Sequence, residues 1–150
     1  MYFNNETVLY LDGKFVKASE STTDLYGQTL HYGYGAFEGI RSYETEHGTK
    51  VFKAEEHYER LKKSCELVKI PLDYTVQELV EATYELLEKN NLKNAYIRPL
   101  VYCAPNMSLT KPTSVSLMIA VWDWGAYLGE KLLRLTVSPY CRPHPKSIHI

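Results

Sequence analysis

The stretch His31-Tyr32-Gly33-Tyr34-Gly35-Ala36-Phe37-Glu38-Gly39-Ile40-Arg41 packs three glycines and three aromatics beside a histidine, a glutamate and an arginine. Apolar periodicity does not explain that mixture, because a plain core helix avoids three glycines. Glycines this dense imply backbone that turns sharply or lets a ligand approach closely. The aromatics between them imply a shaped wall, so the stretch reads as part of a binding site.

Working outward, Ile40 opens a β-prone run. Arg41-Ser42-Tyr43-Glu44-Thr45 and Thr49-Lys50-Val51-Phe52 flank His47-Gly48, which predicts a hairpin. Upstream, Val8-Leu9-Tyr10-Leu11-Asp12-Gly13-Lys14-Phe15-Val16 places Asp-Gly between two β-prone runs, a second hairpin signal. From Ala54 to Lys69 the period changes. Tyr58, Leu61, Cys65 and Val68 recur every three or four residues, predicting an amphipathic helix that Pro71 stops. Thr75 opens a second helix with Glu78 in capping-box register. Its inner stripe is Val76, Leu79, Val80, Thr83, Leu86 and Leu87, and Asn90-Asn91 is its left-handed stop. Ala95 to Tyr102 and Val115 to Trp122 read as strands, the latter apolar enough to be buried on both faces. Ala104 to Pro112 is a loop between them, and Leu132 to Pro139 reads as one more strand.

These elements predict an α+β fold with an antiparallel sheet and two helices. Residues 1–124 form a small N-terminal domain, 125–131 a connector, and 132–150 the start of a second, truncated domain.

The 150 residues are 45% apolar, which supports a packed core. Net charge is -1, from 17 basic and 18 acidic residues, so nothing electrostatic favours nucleic acid or an anionic membrane as partner. No apolar run has the length of a membrane span, and the first residues lack a secretory pattern. Cys65, Cys103 and Cys141 are far apart and read as reduced, buried thiols of a cytoplasmic protein. No metal-ligand spacing is present.

Arg98 lies in a strand among apolar residues, where a guanidinium is costly without a partner. That partner is either a substrate carboxylate or a structural one, unless the position faces water. Tyr96 shares its strand face and either supports it or packs. Arg60, on a helix, is by itself either a solvated charge, the usual case, or a weakly marked functional residue. Phe37, Trp124 and Tyr127 are core residues or an apolar pocket wall. Tyr32 and Tyr34 either present hydroxyls or fill a turn. Glu38 is a general base or a cap or turn residue.

Four segments, HYGYGAFEGIRSY, EEHYERLKKS, NNLKNAYIRPLVY and WDWGAYLGEKL, stand in this order along the chain. Together they resemble the branched-chain amino acid aminotransferases, class IV enzymes of the D-amino acid aminotransferase-like fold. The likeness runs from about Val8 to Ile150, and YIRP and WGAYLG are its most specific parts. It implies a pyridoxal phosphate enzyme that moves the amino group of leucine, isoleucine or valine to 2-oxoglutarate, working as a homodimer. It implies that Arg60 reaches the cofactor phosphate, and that Phe37, Trp124 and Tyr127 line the side-chain pocket. It further implies that Arg98, with Tyr96 and Arg41 nearby, receives the distal carboxylate of glutamate. Tyr32 and the loop around Met107 would approach the neighbouring subunit. The lysine that forms the Schiff base would fall about three residues past Ile150, and Lys146 is not at its position. The chain then carries no catalytic lysine, is inactive alone, and binds the cofactor weakly or not at all. The alternatives are a same-fold aminodeoxychorismate lyase or D-amino acid transaminase, or a non-catalytic assembly domain.

Overall fold

A computed structural model of the chain describes residues 3–125 and 132–144. Asp12 and Gly13 both take positive φ, 47° and 85°, so the Asp-Gly pair turns the chain tightly between β1 (Val8–Leu11) and β2 (Lys14–Lys17). The Asp12 carboxylate accepts from the Leu117 amide at 2.8 Å, tying this turn to a distant strand.

The glycine-rich window divides into three. Residues Gln28–Tyr32 form a short helix, α1, which the glycine count argues against. Gly33 ends it with φ +66°, a conformation that a side chain would strain. Gly35–Phe37 is then strand β3 and Ile40–Thr45 is β4. β4 turns back at residues 46–47 into β5 (Gly48–Val51).

α2 (Ala54–Leu67) buries Tyr58, Leu61 and Cys65, the stripe its periodicity predicts. It ends before Pro71 comes into play: Lys69 takes φ +58° and the Ile70 amide closes onto the Cys65 carbonyl at 2.8 Å. α3 (Val76–Lys89) starts on the capping box of Thr75 and Glu78 and buries Leu79, Ala82, Thr83, Leu86 and Leu87. Val76 and Val80 of its expected stripe are only partly buried. Asn91, at φ +53°, ends it.

β6 (Ala95–Cys103) and β7 (Val115–Asp123) are the long central strands. All pairings are antiparallel, in the order β2-β1-β7-β6-β4-β5, with β3 also on β6. β3 pairs with residues 100–102 of β6 and β4 with 95–97, so the two short strands lie end to end along it, joined by Glu38 and Gly39.

In β6 the odd residues, from Ala95 to Cys103, are buried, and Tyr96, Arg98, Leu100 and Tyr102 are half-buried. The same alternation corrects the reading of β7 as buried on both faces. Leu117, Ile119 and Val121 enter the core, whereas Met118, Ala120 and Trp122 lie on the opposite, more open face. The core is therefore one layer, between the sheet and helices α2 and α3. The open face holds an apolar trough of about 640 Å³, lined in part by Leu9, Leu11, Leu100, Met118 and Ala120.

The strand expected at Leu132 to Pro139 does not form: residues 132–144 take no regular structure, and Leu132, Leu135 and Val137 are exposed. A strand needs a hydrogen-bonding neighbour, and no described strand pairs with this segment. Cys65 and Cys103 are buried free thiols, but Cys141 is exposed, which corrects the expectation of three buried ones. Burial pushes the Cys65 thiol up to about 11, so it stays protonated and inert.

Candidate functional site

Strand alternation places Arg98, Tyr96 and Trp122 on the open face of the sheet. Register brings Arg41 of β4 opposite Tyr96, and Tyr96 opposite Trp122. The rings of Tyr96, Trp122 and Trp124 lie within 4.8–5.8 Å of one another. The Arg98 guanidinium sits 4.5 Å from the centre of the Phe37 ring and 5.2 Å from that of Tyr96. Its NH2 donates to the Tyr96 hydroxyl at 2.7 Å, while its buried Nε has no hydrogen-bond acceptor. No carboxylate pairs with Arg98 among the described residues. Of the two partners the strand position allowed, the structural ion pair is therefore absent among the described residues.

Gly39 is required by this arrangement. A Cβ there would collide with the Tyr96 hydroxyl, the group that Arg98 uses. Arg41, opposite Tyr96, also reaches the end of β7: its NH2 donates to the Trp124 carbonyl at 2.7 Å and its NH1 to the Gly125 carbonyl at 3.4 Å. It fastens the end of β7 to β4 and holds the Trp124 backbone beside Tyr96. Tyr127 and Lys146 lie outside the described residues, as do residues 126–131 and 145–150.

Phe37 and Glu38 leave the sheet on opposite faces. Phe37 is exposed, whereas Glu38, in the joint between β3 and β4, is buried and its carboxylate is engaged by side chains of α2. Its Oε1 accepts from Arg60 Nε at 2.6 Å and its Oε2 from Arg60 NH2 at 2.5 Å. His57 Nδ1 lies 2.9 Å from Oε2. Burial pushes the Glu38 carboxyl up, but the hydrogen bonds from Arg60 and His57, helped by their charges, outweigh it and hold the group below its ordinary 4.5. The same bond raises the Arg60 pKa, so the guanidinium stays charged. Arg60 is thus no freely solvated helix charge. Its outer edge nevertheless remains open, and the side chain is 64% exposed.

Tyr32 stands away from this cluster. Its hydroxyl donates to the Met107 carbonyl at 3.0 Å, joining α1 to the 104–112 loop. Leu30 of α1, Met107 and Leu109 of the loop, and Leu25 and Tyr26 just before α1 are all exposed.

The guanidiniums of Arg98, on the open face, and Arg60, in the N-terminal half of α2, both keep unfilled donors and are suited to anions. The aromatic rings around Arg98 are suited to apolar groups. Comparison with known proteins agrees with that chemistry. Residues 35–149 match the family model described as amino-transferase class IV. A branched-chain-amino-acid aminotransferase of Pseudomonas aeruginosa is 38% identical over 147 residues, covering 94% of this chain and 48% of the relative. The chain therefore spans about half the length of the curated relatives it matches. The branched-chain aminotransferase of the archaeon Thermoproteus uzoniensis, solved with norvaline, superposes with a TM-score of 0.86 at 33% identity, covering 95% of this chain and 49% of that one. A branched-chain amino acid aminotransferase of T.th., complexed with N-(5'-phosphopyridoxyl)-L-glutamate, has a TM-score of 0.74 at 31% identity, covering 79% of this chain and 41% of that one. The α+β sheet and helices described above are the fold these proteins share with it, and the chain belongs to the class IV amino-transferase family.

Proposed function

We propose that the chain is the small-domain half of a pyridoxal phosphate-dependent branched-chain amino acid aminotransferase, acting with 2-oxoglutarate as amino acceptor. Arg98 carries this reading: a guanidinium set between Phe37 and Tyr96, with an unfilled Nε and no carboxylate partner among the described residues. One site must take an apolar side chain in one half-reaction and an acidic one in the other. Phe37 and Trp124, with Tyr127, serve the first. Arg98 and Tyr96 serve the second, because a guanidinium sandwiched between rings meets a carboxylate without altering the pocket's outline. Arg41 supports this wall by holding the Trp124 carbonyl.

Arg60 fits the cofactor's phosphate, since its charge is fixed and its outer edge is open. When bound, pyridoxal phosphate supplies the electron sink through which amino groups are exchanged. The T.th. relative, solved with a phosphopyridoxyl group joined to glutamate, supports this cofactor and this amino acid as the ligands. The exposed apolar side chains beside Tyr32 and Met107 fit a second copy of the protein, with Tyr32 serving the neighbour's site. In this reading residues 1–124 are the small domain, 125–131 the connector and 132–150 the beginning of the cofactor-binding domain.

The test is steady-state kinetics of the intact polypeptide that contains these residues. L-Leucine with 2-oxoglutarate should be the productive pair, with D-alanine and aminodeoxychorismate inert. Arg98→Gln should raise KM for 2-oxoglutarate by about tenfold or more while changing that for leucine little, the loss expected for a charged hydrogen bond. Equal losses for both substrates, or turnover of D-alanine instead, would overturn the assignment.

A further inference from the structure

We propose that Glu38, with His57, is a positioning residue that aims the Arg60 guanidinium at an anionic group, and this rests on the reading of Arg60 as the phosphate ligand. Three observations carry it. Glu38 is 6% exposed and its backbone is fixed, since its amide donates to the Pro99 carbonyl at 3.1 Å. The carboxylate grips Arg60 through two parallel bonds, to Nε and to NH2, which sets the plane of the guanidinium as well as its place. His57, one turn before Arg60 on α2, then closes the third side. Its Nδ1 is 2.9 Å from Glu38 Oε2 and 3.0 Å from Arg60 NH2. That nitrogen donates to the carboxylate when protonated and accepts from the guanidinium when not. Either way it restrains the pair.

What the cluster leaves unused is directional. The bonded edge of Arg60 points inward to a buried acid, and NH1 engages no protein group among the described residues. An exposed arginine ordinarily samples many rotamers, and a ligand that captures it must order it first. Here the ordering precedes the ligand. A phosphate dianion meets a guanidinium already oriented, with its charge retained. The link also joins two elements: Glu38 adjoins Phe37 on the open face, while Arg60 belongs to α2, so the phosphate-binding and side-chain-binding ends share one backbone joint.

The test compares the affinity of the intact polypeptide for pyridoxal phosphate with its affinity for pyridoxal, which lacks the phosphate. The bound phosphorus resonance serves as a second readout. Arg60→Ala should lower the ratio about tenfold and Glu38→Gln about three- to tenfold, with pyridoxal affinity unchanged and the phosphorus signal shifted in both. His57→Gln should lower it less. If Arg60→Ala lowers the ratio but Glu38→Gln leaves it alone or raises it, Glu38 is only a counter-ion, and the positioning role falls while the phosphate reading stands. If Arg60→Ala leaves the ratio unchanged, or the protein binds no pyridoxal phosphate, the phosphate reading falls and this inference with it. Should Glu38→Gln fail to fold, His57→Gln decides, since it leaves the Glu38–Arg60 bonds in place: a lowered ratio supports the role and an unchanged one overturns it.

Discussion

Gly39 has no side chain, yet it governs where one lies. Replacing it with alanine puts a methyl group where the Tyr96 hydroxyl stands, and that hydroxyl accepts from Arg98. Gly39→Ala should therefore cost about 1–3 kcal/mol in denaturant unfolding, the usual range for forced overpacking. Glu38 gives a second expectation. Its carboxyl is held below its ordinary 4.5 in the folded state, so the stability it contributes is fully present above that value and is lost as pH falls through the lower, folded one. Melting temperatures of the wild type and Glu38→Gln should differ most near neutral pH and converge in acid. A gap that is independent of pH would refute the linkage. The two residues also differ in how legible they are. Arg98 announces itself, because arginine amid a strand's apolar residues needs a reason. Glu38 does not, because its partners lie 19 and 22 residues further along, on another element.

Helices and strands with a strong period are readable from the chain. The Thr75–Glu78 capping box is such a case, and its reciprocal bonds are both present in the structure. Thr75→Ala should lower stability by about 1 kcal/mol, measured by chemical denaturation, because it frees an amide at the first turn. α1 escapes the same reasoning. It has five residues, lies between glycines and buries only Gln28, so it carries no stripe to detect. The missing strand at 132–139 shows the opposite limit. β-prone residues describe a preference, and pairing depends on which edges are available nearby. Inside α3, Thr83 sits in the apolar stripe yet is a polar anchor. It donates to the Leu79 carbonyl, and its hydroxyl also meets that of the fully buried Tyr58.

For the molecule as a whole, the helices cover one side of the sheet and leave the other to α1, the 18–27 segment and the trough. Leu30, Tyr32, Met107 and Leu109 add exposed apolar surface at one end. Surfaces of this kind promote association. Sedimentation of the 150-residue chain should show a concentration-dependent species heavier than a monomer, reduced by Leu30→Asp with Leu109→Asp. A monomer at every concentration would count against the proposed subunit contact. The sheet order was not legible in advance. β3 and β4 share one edge of β6 because the chain steps across Glu38 and Gly39 between them, and no local pattern encodes that step.

The strict alternation of β6 has an evolutionary consequence. Core and site are written on one strand in interleaved letters: positions 95, 97, 99, 101 and 103 answer to packing, and 96, 98, 100 and 102 answer to whatever lies on the open face. Variation confined to the even positions can explore new ligands without disturbing the interior. A library randomised only there should keep its folded fraction while its binding preferences diverge, so this strand lets selection act on fold and specificity as nearly independent traits.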